Sequence, residues 1–86
     1  MALEEIGVQQ GTLAELDSDM KIGLVYAREA RDDVPPEIVL FIKDDGERDV
    51  TLHPGDTFPI GEQTWRFDRV VKAGGNRLGA VFARIE

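Results

Sequence analysis

The chain has 86 residues, 42% of them apolar, no cysteine and a net charge of −7. That length makes a single β domain, residues 1–86, burying roughly 60–65% of the surface its unfolded chain exposes, enough for one thin core and too little for a deep enclosed pocket. Without cysteine there is no disulfide and no cysteine-based zinc site, which fits a reducing cytoplasm, and the negative surface argues against direct nucleic acid binding.

Residues 1–6, Met-Ala-Leu-Glu-Glu-Ile, are acidic where a secretory leader would be basic. No apolar stretch along the chain approaches the roughly 20 residues of a membrane span, so a cytoplasmic protein away from the membrane is expected. From Ile6 to Leu16 the chain reads as one bent strand or as two short strands hinged at Gly11. A short helix over residues 12–17, capped by Thr12 with Glu15 three residues on, is the alternative. Glycines at 7 and 11 weaken that helix and favour strand.

Residues 21–29 alternate, with Ile22, Leu24 and Tyr26 on one face and Gly23, Val25 and Ala27 on the other. Both faces are partly apolar, as in a central strand covered on both sides. Pro35 and Pro36 cannot continue a ladder and place a loop over residues 30–36. Residues 37–43 are β-branched and aromatic. Asp44-Asp45-Gly46-Glu47 then reverses the chain, because Asp-Gly tolerates the positive φ of hairpin turns. Residues 49–53 return with Val50 and Leu52 inward and Thr51 and His53 outward. Pro54-Gly55-Asp56 turns again, residues 57–60 form a short strand, and Gly61-Glu62 turns a third time. Residues 63–73 form a long strand with Trp65 and Phe67 inward. Val70 and Val71 break strict alternation, which predicts a bulge near Asp68-Arg69. Gly74-Gly75-Asn76 makes the fourth turn, and residues 77–85 close the chain with Leu78, Ala80 and Phe82 on one face. Period-two alternation with turns every 8–12 residues predicts an all-β fold: a small antiparallel β-barrel or β-sandwich of about six to eight strands with little helix.

The chemical candidates are few. His53 is the sole histidine, with Asp56 three residues on across a turn. A catalytic base needs a group to activate and there is no cysteine. Asp56 suits a side-chain bond to the turn backbone better than a partnership with the ring. One histidine among scattered carboxylates is a poor metal set, and Asp44, Asp45 and Asp49 lack the spacing of a calcium loop, so no metal and no cofactor are expected. Gly74-Gly75-Asn76 has no lysine at P-loop spacing and reads as a turn. Trp65 reads as a core residue packed with Phe58, Phe67 and Phe82. Tyr26 and Arg28, on the Ile22–Leu24 face, read first as a core rim; in an open barrel that face would instead floor a shallow pocket.

The stretch Gly55-Asp-Thr-Phe-Pro-Ile-Gly-Glu-Gln-Thr-Trp-Arg-Phe-Asp-Arg-Val70 resembles an element of short uncharacterised actinobacterial proteins. The likeness rests on Gly55, Asp56, Phe58, Pro59, Gly61, Trp65 and Val70. It implies a turn–strand–turn–strand hairpin and a bacterial cytosolic setting, and it carries over no functional residue.

The function these observations favour is a non-enzymatic interaction module whose partner is a protein or a second copy of itself, with Tyr26, Arg28, His53, Asp56 and Arg66 as candidate binding residues. The rival is a small-molecule-binding barrel or cofactor-free enzyme using His53, Asp56, Arg66 and Tyr26 at the barrel mouth. A third reading is an acidic inhibitor of a basic partner protein. The spread of the acidic residues, interleaved with seven arginines, fits solubility better than mimicry of nucleic acid.

Overall fold

Alternating apolar residues bury one side of each strand, and a strand pair with one greasy face must cover it with another sheet. The computed structural model, which describes residues 4–17 and 19–86, meets this requirement with eight strands. They are β1 (Glu4–Gln9), β2 (Leu13–Asp17), β3 (Met20–Arg28), β4 (Glu37–Lys43), β5 (Glu47–Leu52), β6 (Thr57–Ile60), β7 (Gln63–Gly74) and β8 (Arg77–Arg84). They form two four-stranded antiparallel sheets, ordered β1-β8-β7-β6 and β2-β3-β4-β5. There is no helix among the described residues. Of the two architectures the alternation allows, the chain takes the sandwich: the sheets are not closed into a barrel. Residues 1–3, part of the acidic N-terminal stretch, lie outside the described residues.

The inner faces supply the core. Ile22, Leu24, Ala27, Ile38, Leu40, Ile42 and Leu52 come from one sheet. Val8, Phe58, Ile60, Trp65, Phe67, Ala80 and Phe82 come from the other. Phe58 and Phe82 meet edge to face at 5.7 Å between ring centres, and Phe67 tilts against Phe82 at 5.8 Å. Trp65 is fully buried opposite Phe58 in the β6–β7 ladder, and its indole N–H donates to Gln63 Oε1 at 2.9 Å.

Two seams join the sheets. At the first, β1 passes into β2 through Gly11, whose φ of 85° is left-handed and reserved for glycine at little cost. Gln10 N–H donates to Leu78 O and Gly11 N–H to Leu24 O, both at 2.9 Å, so one residue bonds each sheet. The segment is therefore two strands hinged at Gly11. Thr12 caps no helix; its hydroxyl donates to Gln9 O at 2.7 Å and closes the corner.

The second seam lies between the edge strands β5 and β6, where side chains replace ladder bonds. Asp44 in the β4–β5 turn accepts from the Gly61 N–H of the β6–β7 turn at 3.0 Å and from Gly46 N–H at 3.3 Å. Arg48 donates one nitrogen to Asp44 Oδ1 at 3.0 Å and another to Pro59 O on β6 at 2.6 Å. Pro59 sits on an edge, where its missing N–H costs no ladder bond. Gly61 takes a left-handed φ of 57°, and a Cβ there would run into the Met20 thioether. Gly46, by contrast, does not use the positive φ expected of it; it contributes its N–H to Asp44.

Bulges reset the alternation twice where it matters. The shift between Phe67 and Arg69 falls where the Val70-Val71 pair predicts it. The shift between Leu24 and Tyr26 is unheralded and corrects the expected facing of β3. Val25 and Tyr26 both turn outward and Ala27 turns inward, so Tyr26 leaves the Ile22–Leu24 face. Nor is the strand covered on both sides, since Val25 is 55% exposed.

Trp65→Ala should cost about 3–5 kcal/mol, a large fraction of the stability of a domain this small; urea unfolding followed by circular dichroism measures it, and an unchanged midpoint would contradict the packing described. The Gly61 N–H, then Arg48, then the Gly46 N–H hold the Asp44 carboxyl down at about 2, against an ordinary 3.8 and despite slight burial. Because the folded value is the lower one, the charged carboxylate stabilises the fold fully above about pH 4 and that contribution is lost as pH falls towards 2. Asp44→Asn should melt lower at pH 7, and the gap to wild type should narrow between pH 4 and 2.

Candidate functional site

With the large apolar side chains committed to the core, what the outer faces carry differs between the sheets. On the β1-β8-β7-β6 sheet the centre is small: Gly7 lies opposite Val81, and Glu5 and Arg66 flank Ala83. Long polar side chains span these positions, with Arg69 within 4.0 Å of Glu5 across β8 and Arg66 within 3.7 Å of Asp68; Arg69 also pairs with Asp68. Val81 and Ala83 are buried although they point away from the core.

The outer face of the β2-β3-β4-β5 sheet is unlike it. Register places its residues in four rows. Glu15, Lys21, Lys43 and Glu47 make one end, with Lys21 paired to Glu15 at 3.9 Å. Leu13, Gly23, Phe41 and Asp49 make the next row. Val25 and Tyr26, Val39 and Thr51 make the third. Arg28 and Glu37, with His53 just beyond β5, make the far end.

Three of the four exposed large apolar side chains of the described residues lie in the two middle rows: Leu13 (64% exposed), Val25 and Tyr26. Leu13 lies flat because residue 23 is glycine. A Cβ there would stand 2.6 Å from Leu13 Cδ2, so glycine makes room for the leucine. Leu13, Gly23, Val25 and Phe41, with the Gly11-Thr12 corner, line an open notch of about 350 Å³.

The sequence-derived candidates divide between the sheets. His53 is half-buried at the end of this face. Its Nε2 is 3.1 Å from Glu37 Oε1 and its Nδ1 is 3.7 Å from Asp56 Oδ2. The outward orientation expected of His53 holds, but the ring is flanked by carboxylates rather than freely solvated. Asp56 does the backbone job expected of it, accepting from His53 N–H at 2.9 Å while its own N–H donates to His53 O at 2.9 Å. The turn it shapes is tied to β7, with Gly55 N–H on Phe67 O and Phe67 N–H on Asp56 O. Arg28 closes the β3–β4 loop, donating to Pro35 O at 2.9 Å, while its Nε is enclosed without a hydrogen-bond partner among the described residues. Tyr26 and Arg28 thus share a face with His53, by virtue of the bulge. Arg66 does not join them: it belongs to the outer face of the other sheet, beside Asp68.

Glu37, Leu13 and Phe41 went unmarked in the sequence. Glu37 reaches His53 only through the β4–β5 register, sixteen residues along the chain. Leu13 had a weak signal, since Leu13-Ala-Glu-Leu16 offers either leucine to the core; Ala14 and Leu16 pack inward and Leu13 is left outside. Among the described residues no three of the histidine and carboxylate side chains converge to hold a metal ion, and no helix is long and apolar enough to cross a membrane.

His53→Gln keeps a hydrogen-bonding group opposite Glu37 and removes the ring, so it should shift unfolding free energy by no more than about 0.5 kcal/mol. Chemical denaturation checks this, and a loss of several kcal/mol would make the His53–Glu37 contact a structural requirement.

No curated protein and no solved structure matches the chain. A match running over residues 4–86 covers all eight strands, both seams and the open face, and it places the chain in the family of unknown function DUF6406.

Proposed function

We propose that the protein is a non-enzymatic interaction module that recognises a protein, another chain or a second copy of itself, through the outer face of its β2-β3-β4-β5 sheet. The observation that carries this reading is the apolar centre of that face: Leu13, Val25 and Tyr26 exposed around a notch floored by Gly23. Contiguous apolar surface is costly to leave in water, and where a small soluble domain keeps it the patch is commonly a contact site. The arrangement also follows interface anatomy, an apolar centre with an aromatic residue bordered by charged rows. A catalytic role for His53 draws less support, because both ring nitrogens face carboxylates that themselves belong to the turn and the β4 terminus. The acidic, cysteine-free composition is in keeping with a bacterial cytoplasmic setting.

The test is capture by immobilised protein from a bacterial lysate that also contains the free chain, comparing wild type with Leu13→Asp and Val25→Asp, and with Arg66→Ala on the opposite sheet as control. Both aspartate positions are exposed, so their melting curves should match wild type. A macromolecule held by wild type and by Arg66→Ala, and lost at least tenfold from the two aspartate variants, is the expected result. Capture indifferent to the aspartates and abolished by Arg66→Ala would overturn it.

A further inference from the structure

Resting on that reading of the face, we propose that its occupant is a second copy of this chain, docked face to face about a two-fold axis that crosses the strands between the two apolar rows. Charge singles out this arrangement. The face carries Lys21, Arg28 and Lys43 against Glu15, Glu37, Glu47 and Asp49, so it is nearly neutral on a chain of net charge −7. Its repulsion towards its own copy is correspondingly small.

An isologous interface sets each residue opposite a symmetry-related one, and the axis decides which. An axis parallel to the strands would set Lys21 against Lys43 of the partner subunit, and Glu15 against Glu47 of the partner subunit. Like charges would face one another along the whole row, four such contacts in all, against two favourable ones where Arg28 meets Glu37 of the partner subunit at the far end. An axis across the strands reverses each strand against its own copy. Lys43 then meets Glu37 of the partner subunit, and Glu47 meets His53 of the partner subunit. The one like-charge contact it leaves is Lys21 against Arg28 of the partner subunit, and Lys21 is already paired with Glu15.

The same operation brings the apolar rows into register. Gly23, where no side chain rises from β3, comes opposite Val25 and Tyr26 of the partner subunit, and Phe41 comes opposite Val39 of the partner subunit. The notch in one copy receives the ridge that the β3 bulge raises on the other, twice over. A sheet face of four strands and four rows covers about 500 Å² per copy, given about 4.8 Å between strands and about 7 Å between rows. That area belongs to the small end of specific interfaces, where association is weak and reversible, so a dilution series from about 10 µM to 1 mM is the informative one.

Sedimentation velocity of the full chain across that range, with ¹⁵N–¹H spectra recorded on the same dilution series, tests the proposal. The expected result is reversible dimerisation, with shifts concentrated at Gly23, Val25, Tyr26, Val39 and Phe41. Lys43→Glu and Glu37→Lys should each weaken the dimer at least tenfold, and the double variant Lys43→Glu/Glu37→Lys should restore it. Val25→Asp, at the centre and away from the His53–Glu37 contact, should give a folded monomer whatever Glu37→Lys does to stability. Failure of the double variant to restore a dimer, while it melts as the wild type does, would overturn the crossed axis. A dimer whose shifts map to the other sheet would overturn both the proposal and the reading of the face. A wild type monomeric at 1 mM would overturn self-association alone and leave the face to be judged by the capture experiment.

Discussion

Everything in this fold depends on how two sheets are kept from sliding over one another. Apolar packing between them is strong but largely non-directional. Direction comes from the open seam, where Asp44 and Arg48 stand in for the ladder that β5 and β6 do not form. One carboxylate binds the backbone of both turns, at Gly46 and Gly61, and one guanidinium holds that carboxylate and a β6 carbonyl together. Charge-assisted bonds to backbone groups are among the stronger kinds available to a protein. The closed seam at Gly11 does the same with backbone alone, bonding Leu78 and Leu24 in successive residues.

Once the sheets are aligned, the inner faces consume nearly all the bulky apolar side chains, Trp65 and three of the four phenylalanines included. What is left on the outside is then decided by strand register. On one sheet arginine and glutamate side chains lie across a floor of glycine, alanine and valine, as long amphipathic side chains do when they cover apolar surface. On the other, the bulge at Val25 brings Tyr26 to the outer face beside Val25, and Gly23 lets Leu13 lie down beside them. What distinguishes the two outer faces is therefore this asymmetry of side chains, not any single reactive group.

The same register explains why the histidine is where it is. Glu37, the first residue of β4, and His53, one residue beyond β5, are brought together because β4 and β5 pair without a shift from Ile38 to Lys43. Asp56 then fixes the backbone of His53 through the turn. The result is a polar border at one end of an apolar face, built from a strand start, a strand end and a turn.

By itself the sequence determined the all-β fold, most turns and the core. Period-two alternation with glycine and proline punctuation is local information, and burying Trp65, Phe67, Ile38 and Leu40 follows from it. The bulge at Phe67–Arg69 was legible for the same reason, as two adjacent valines that alternation could not reconcile. Tertiary structure decided the rest. Sandwich rather than barrel depends on whether β5 and β6 pair, which rests on a contact between residues 44 and 61. The bulge at Val25 left no local mark, because Val25-Tyr26-Ala27 is apolar throughout and either facing satisfies the pattern. The grouping of Tyr26, Arg28, Glu37 and His53, and the separation of Arg66 from them, arise from strand order and register. Those are set by packing between segments far apart in the chain, and a pattern of single residues does not encode them.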